Sequence, residues 1–260
     1  MDPQAMTPYG LALLAYFEGE TSAQVVIRRD DGAEASLPAS HFFRSPAEFS
    51  RIEVAALELC RGHVLDIGAG SGLHSLDLLS RGRTVTAIDI SPQAVEVMSR
   101  RGVGDVHCTD VFDFQGGPFD TLLMLGHGIG IVEDLDGLSV FLAGARGLVR
   151  GDGHLLVDSH DVRRTTDPGH LAYHESNRLA GRYFGATRIQ FEYAERTGPY
   201  CGWLHVDPQT LQLQAESAGW GCELLLQEDD GDYLARLAPL RAARDTIMSE
   251  HFSIDAVANP

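Results

Sequence analysis

The stretch from His63 to Leu76, HVLDIGAGSGLHSL, constrains this chain most. Val64, Leu65, Asp66 and Ile67 make a short, mostly apolar run of the kind that forms a buried parallel strand. Gly68, Gly70 and Gly72 then crowd together ahead of an amphipathic segment. The pattern is strand, glycine turn, helix start. Glycines there permit φ > 0 and close approach of a ligand to the main chain, and the next helix offers unpaired N–H groups to electron-rich atoms. Such a turn suits a nucleotide-like ligand.

A chain of 260 residues, 44% hydrophobic, predicts one large α/β domain with small additions. The formal charge of −17 opposes phosphate backbones and anionic lipid surfaces, so neither nucleic acid nor membrane is an expected partner. Every basic residue is an arginine, which excludes lysine Schiff bases and the lysine of a phosphate-binding Walker loop. Cys60, Cys108, Cys201 and Cys222 lack metal-site or redox spacing and read as reduced thiols. With no charged leader and no apolar run near the ~20 residues a bilayer requires, a soluble cytoplasmic protein is expected. A homodimer is left open.

Taken in order, Tyr9 to Phe17 reads as a helix with Thr7 as cap and Gly19 as its end. Gln24 to Arg28 and Ala33 to Leu37 form a hairpin about Asp30-Asp31-Gly32. A helix from Pro46 to Cys60 follows, with Ser45 as cap and Glu48 three residues on. Beyond the glycine turn, helices at 73–80, 92–101 and 138–148 alternate with strands at 84–88, 105–108, 119–125 and 154–158. That order predicts a parallel sheet covered on both faces. Arg163 to Ala186 reads as polar loop. Thr187 to Arg196 and Tyr200 to Val206 form an inserted antiparallel hairpin, and a helix from Pro208 to Ala218 precedes strands at 222–227 and 233–237. The last residues read as a helix and a tail.

The glycines fit a dinucleotide fingerprint poorly, because Leu73 stands where G-x-G-x-x-G requires its third glycine. Asp89, ending the second core strand, suits either ligand, since a carboxylate there accepts both ribose hydroxyls of an adenosine. VLDIGAGSG, TAIDIS, CTDVFDF, FDTLLMLGHGIGI and GDGHLLVDSHD together resemble the successive motifs of the class I S-adenosylmethionine-dependent methyltransferases. The resemblance implies a Rossmann-like seven-stranded sheet of order 3-2-1-4-5-7-6 with one antiparallel strand. The chain adds an N-terminal helix–hairpin and an inserted β-hairpin.

The resemblance also implies S-adenosyl-L-methionine as cofactor, with its methionine moiety on Gly68, Ala69 and Gly70 and Asp66 nearby. It puts Asp89 on the ribose, Ile90 against adenine, Asp110 and the Val111 amide at the adenine edge, and Leu125 and Gly126 beside the sulfonium. Taken singly, Asp66 and Asp89 also suit turn or helix caps. The chain lacks the N/D-P-P-Y/F tetrapeptide of amide and nucleobase methylation, with Leu125-Gly126-His127-Gly128 in its place, so a small-molecule acceptor is expected.

Methyl transfer from a sulfonium is an in-line displacement that needs orientation and, for a hydroxyl or protonated amine, a base. His127 and His160, each just past a core strand at the carboxyl edge, are the candidate catalytic residues; a turn cap and a satisfied loop residue are their structural alternatives. Asp158-Ser159-His160-Asp161 also offers metal-ligand types, but adjacent residues leaving a strand point apart, and no metal site is assigned. His74 reads as a packing or cofactor-rim residue. Tyr9, Tyr16, Phe17, Phe42 and Phe43, with Tyr173, His174, Tyr183 and Trp203, are candidates for a water-excluding lid, or else core. Arg44, Arg178 and Arg182 are candidates for an acceptor carboxylate.

The expected organisation is one methyltransferase domain over 1–260. Residues 1–45 form a lid-like addition, 46–161 the cofactor core, 162–207 a substrate cap, 208–238 the closing helix and strands, and 239–260 a tail. The expected activity is methyl transfer to O or N of a small molecule. The alternatives are an NAD(P)-dependent oxidoreductase and a non-catalytic S-adenosylmethionine-binding protein.

Overall fold

The computed structural model describes residues 1–240; the helix and tail expected at the end of the chain lie outside the described residues. The glycine stretch forms β3 (His63–Ile67) and α3 (Leu73–Ser80), joined by a turn in which Gly68, Gly70 and Gly72 all take positive φ. The alternation that follows gives β4 (Thr84–Asp89), α4 (Pro92–Arg101), β5 (Val106–Cys108), β6 (Phe119–Met124), α5 (Leu135–Leu148) and β7 (Val149–His160). After α7 (Pro208–Ser217), β11 (Trp220–Gln227) and β12 (Asp232–Pro239) close the sheet.

The seven strands lie in the order β11-β12-β7-β6-β3-β4-β5, and β12 runs antiparallel to both β7 and β11. This is the expected 3-2-1-4-5-7-6 arrangement. Because strand side chains alternate between faces, Leu65, Leu122 and Leu155 join Phe141 and Leu142 of α5 in one buried cluster. Val64, Leu123 and Leu156 face the other way, onto Ile52, Ala56 and Leu57. Both faces are therefore covered, as continuous apolar strands require.

Several local expectations fail; Thr7, expected as a cap, is instead the first residue of its helix, with Met6 at the cap position and no side-chain cap bond. The helix expected over Pro46 to Cys60 is a 3-10 turn, Pro46–Glu48, followed by α2 (Arg51–Leu59). A second capping box, Ser50 with Glu53, starts the true helix five residues late. The stretch expected as loop from Arg163 to Ala186 contains α6 (Pro168–Leu179), capped by Asp167 with Pro168 at the first helical position. Elsewhere β7 begins at Val149, well before the expected His154.

The additions on either side of the core build one structure. After α1 (Thr7–Phe17), β1 (Gln24–Arg29) pairs with β2 (Glu34–Pro38) on one side and with β8 (Ala186–Tyr193) on the other. β8 pairs in turn with β9 (Arg196–Thr197) and β10 (Cys201–Leu204). The expected hairpins are both present, but they share a single sheet, order β10-β8-β1-β2, in which Ile27 opposes Phe191. That sheet stands over the carboxyl edge of the core.

Candidate active site

A cavity of about 610 Å³ opens between the glycine turn, the ends of β4 and β6, and the second sheet. Gly68, Ala69 and Gly70 line it on one side, Asp89, Ile90, Asp110 and Val111 at one end, and Leu125, Gly126 and His127 at the other. All of the residues matched to the cofactor except Asp66 thus border one space. Asp66 is buried beneath it, where its carboxylate accepts the Ser75 hydroxyl at 2.6 Å and ties β3 to α3. Burial raises its pKa.

The glycine turn is shaped by its neighbours. A Cβ on Gly70 would lie 2.7 Å from the Tyr9 hydroxyl, whereas one on Gly68 would meet only Ile131 at 3.9 Å, so the main chain at Gly68 fronts open cavity. Asp89 braces the turn: its Oδ2 accepts the Gly70 N–H at 2.9 Å and its Oδ1 the Ser91 N–H at 2.8 Å. Burial pushes this carboxyl up to about 6 against those hydrogen bonds. Asp110 accepts the α-amino group of Met1 at 3.1 Å. Open glycine backbone and the two carboxylates of Asp89 and Asp110 supply donors and acceptors that fit an adenosyl amino acid.

At the opposite end Asp158, deep in β7, accepts the N–H groups of Gly126 at 3.1 Å and His127 at 2.9 Å. His127 is held at φ +57, a left-handed conformation uncommon for a residue other than glycine. Its Nε2 meets Asp232 Oδ1 at 3.1 Å, and His160 Nδ1 meets the same oxygen at 2.7 Å. These two hydrogen bonds are the largest influences on Asp232 and hold its carboxyl well below the usual range. For His127, burial would lower the pKa, but the Asp232 hydrogen bond and the fields of Asp158, Asp232 and Asp230 outweigh it and raise it. A third ring, His205, stands 6.0 Å from His127 and 6.3 Å from His160, centroid to centroid. His127, His205 and Asp232 line the cavity, and His160 reaches it only through Asp232.

The other candidates separate. The side chains after Asp158 diverge: Ser159 Oγ accepts the Val206 N–H, and Asp161 pairs with Arg163 at 2.7 Å. Tyr9, Phe42 and Trp203 line the cavity. Tyr16 packs on Phe43 at 4.8 Å with Arg101 over that ring, while the Tyr183 hydroxyl bonds Asp207 at 2.7 Å; these are struts. Arg44 borders the cavity but is committed to Glu53 at 2.5 Å, and His74 bonds the same Glu53 oxygen at 2.8 Å. Asp232, His205 and Glu53 also line the cavity, and no motif in the sequence singles them out. The Asp-Gly turn before Asp232 was visible, but nothing local marks that aspartate as the partner of two histidines.

A methyltransferase-domain family matches residues 64–153. A methyltransferase from Bacteroides fragilis, solved with S-adenosyl-L-homocysteine, superposes with a TM-score of 0.80 at 32% identity, over 91% of this chain and 96% of that one. The chain belongs to the S-adenosylmethionine-dependent methyltransferases. Its cofactor is accordingly S-adenosylmethionine, and it is an enzyme. A magnesium-protoporphyrin O-methyltransferase from Rhodobacter capsulatus is 36% identical over 72 residues, covering 25% of this methyltransferase and 31% of that relative's length. A sugar N-methyltransferase from Streptoalloteichus, at 16% identity and a TM-score of 0.54 over 78% of this chain and 92% of its own, shares the fold. Among the described residues no helix of the methyltransferase is long and apolar enough to cross a membrane.

Proposed function

We propose that this methyltransferase acts on an oxygen or nitrogen of a small molecule, with His127 as base. When bound, S-adenosylmethionine supplies an electrophilic methyl group whose bond to sulfur breaks as the acceptor's lone pair forms the new one. Gly68, Ala69 and Gly70 hold the methionine moiety, and Asp89 takes the ribose hydroxyls. Ile90 packs on adenine, Asp110 and the Val111 amide meet its edge, and Leu125 and Gly126 border the sulfonium. Asp66 acts from beneath, fixing the turn through Ser75.

The observation that carries the base assignment is the shared Asp232 oxygen. An ionised carboxylate accepts, so His127 donates from Nε2 and its Nδ1 keeps the lone pair that takes the acceptor's proton. His160 donates to the same oxygen and orients the pair. The second sheet closes the site over Val25, Ile27, Leu37 and Phe191, which keeps water from competing with the acceptor. Release of S-adenosylhomocysteine on incubation with fractionated metabolite extracts, with a product heavier by one CH₂ unit, tests the activity. His127→Ala should then lose turnover and keep cofactor affinity; an unchanged rate removes the base.

A further inference from the structure

We propose, resting on the methyl-transfer reading above, that His205 is a neutral hydrogen-bond donor seating the acceptor's oxygen under an otherwise apolar roof, so that the acceptor is a phenol-type hydroxyl compound. Strand alternation builds that roof. Val25 and Ile27, Ile189 and Phe191, and Trp203 and His205 are each two residues apart on β1, on β8, and on and just beyond β10, and all six line the cavity. Toward the cavity this sheet presents apolar and aromatic side chains and one ionisable group, His205, just past the end of β10.

The ring of His205 is unusual. Its Nδ1 is sealed from solvent with no hydrogen-bond partner, although the residue borders the cavity. A buried N–H without an acceptor is the rarer and costlier orphan. Nδ1 therefore carries the lone pair, and Nε2 carries the proton and is the nitrogen left for a ligand. Burial, and then the neighbouring His127 and His160, push this imidazole down to about 3, so it stays neutral where His127 is raised. Two histidines 6.0 Å apart thus hold opposite tendencies, which divides donor from base. The acceptor O–H proton passes to His127 Nδ1, the O–CH₃ bond forms, and the S–CH₃ bonding pair remains on sulfur. A neutral N–H donor matches a hydroxyl oxygen and mismatches an ammonium, and the roof carries no charge for a carboxylate.

The test uses phenol and toluene, alike in shape but for the hydroxyl, titrated into the full chain saturated with S-adenosylhomocysteine. His205→Phe should lower the phenol-to-toluene affinity ratio about fivefold, one hydrogen bond's worth, with cofactor affinity unchanged. His205→Gln, which restores a donor, should recover part of it. Ring ¹⁵N shifts should report an Nε2–H neutral tautomer from about pH 5 to 8. An unchanged ratio in His205→Phe, an Nδ1–H tautomer, or titration in that range overturns the proposal. Because the ratio is read without turnover, it stands or falls apart from the base assignment to His127.

Discussion

Asp158 accepts the backbone N–H of His127 at 2.9 Å, so a carboxylate buried in β7 fixes a loop residue at the end of β6 in a left-handed conformation. Its second oxygen holds Gly126. Asn at 158 can accept from only one of the two amides and turns an NH₂ toward the other. Asp158→Asn is therefore expected to cost on the order of 10²-fold in kcat/KM through misplacement of His127, with S-adenosylhomocysteine affinity changed far less. Calorimetry beside steady-state rates separates the two.

Cofactor affinity should fall in acid. Asp89, whose charge is coupled to Asp66, Tyr9 and Cys108, carries a carboxyl raised to about 6 by burial, and only its ionised form would accept fully from ribose hydroxyls. Binding of S-adenosylhomocysteine should weaken as pH drops through about 6, by up to about tenfold per unit. Asp89→Asn should remove that dependence and lower affinity at neutral pH. A flat profile in the unaltered protein would sink the ribose assignment.

The rate profile should respond to Asp232. His127 has a raised pKa, so kcat/KM is expected to climb with pH until its proton is lost and then level off. Asp232→Asn removes the hydrogen bond that raises it most, leaving burial, which lowers it, opposed only by the fields of Asp158 and Asp230. The rising limb should move to lower pH and the plateau should drop. A limb that stays where it was would show that another group titrates there.

Glu53 joins α2 to the cavity rim through Arg44 and His74. Burial opposes its charge, yet the His74 hydrogen bond, the Ser50 N–H and Arg44 bring it down from 4.5 to about 2. A carboxylate with a depressed pKa contributes stability above its unfolded value, lost as pH falls from 4.5 toward 2. Glu53→Gln should therefore lower Tm near neutral pH, by roughly 10 °C if the buried pair contributes about 3 kcal/mol. That deficit should shrink in acid. Thermal melts across pH read both.

Gly130 lies directly under the Trp203 indole, where any Cβ would collide. Gly130→Ala should displace the tryptophan, at about 1–3 kcal/mol, and reduce turnover while cofactor affinity holds. Gly130→Ala with Trp203→Leu, which makes room, should recover stability. Absence of that rescue would place the damage elsewhere.

The core was legible because its signals are local. The run Val64 to Ile67, three glycines, the carboxylate at Asp89 and the Ser91-Pro92 cap each act within a few residues, and each forms the element expected. The Asp167-Pro168 cap of α6 is equally local, yet the loop expected over this polar stretch overlooks it. Asp232 is different in kind: it meets His127 and His160 only because β12 threads back beside β7, bringing Asp232 opposite His160. His205 acquires its character from burial, which a chain of letters does not display. Pairing of β1 with β8 likewise joins segments whose strand patterns name no partner.

That pairing has a consequence for how the molecule is made. During synthesis the ribosome releases β1 early, yet its β8 neighbour emerges only after the entire parallel core between them. The first hairpin must wait, one edge bare, while the cofactor-binding strands assemble. The roof can form only after β8 has emerged, and a fragment ending before Ala186 should expose the apolar flank of Val25 and Ile27. Transplanting the later hairpin alone from a relative would likewise pair a new strand with an old edge, so a transplanted roof should fold only when both segments travel together.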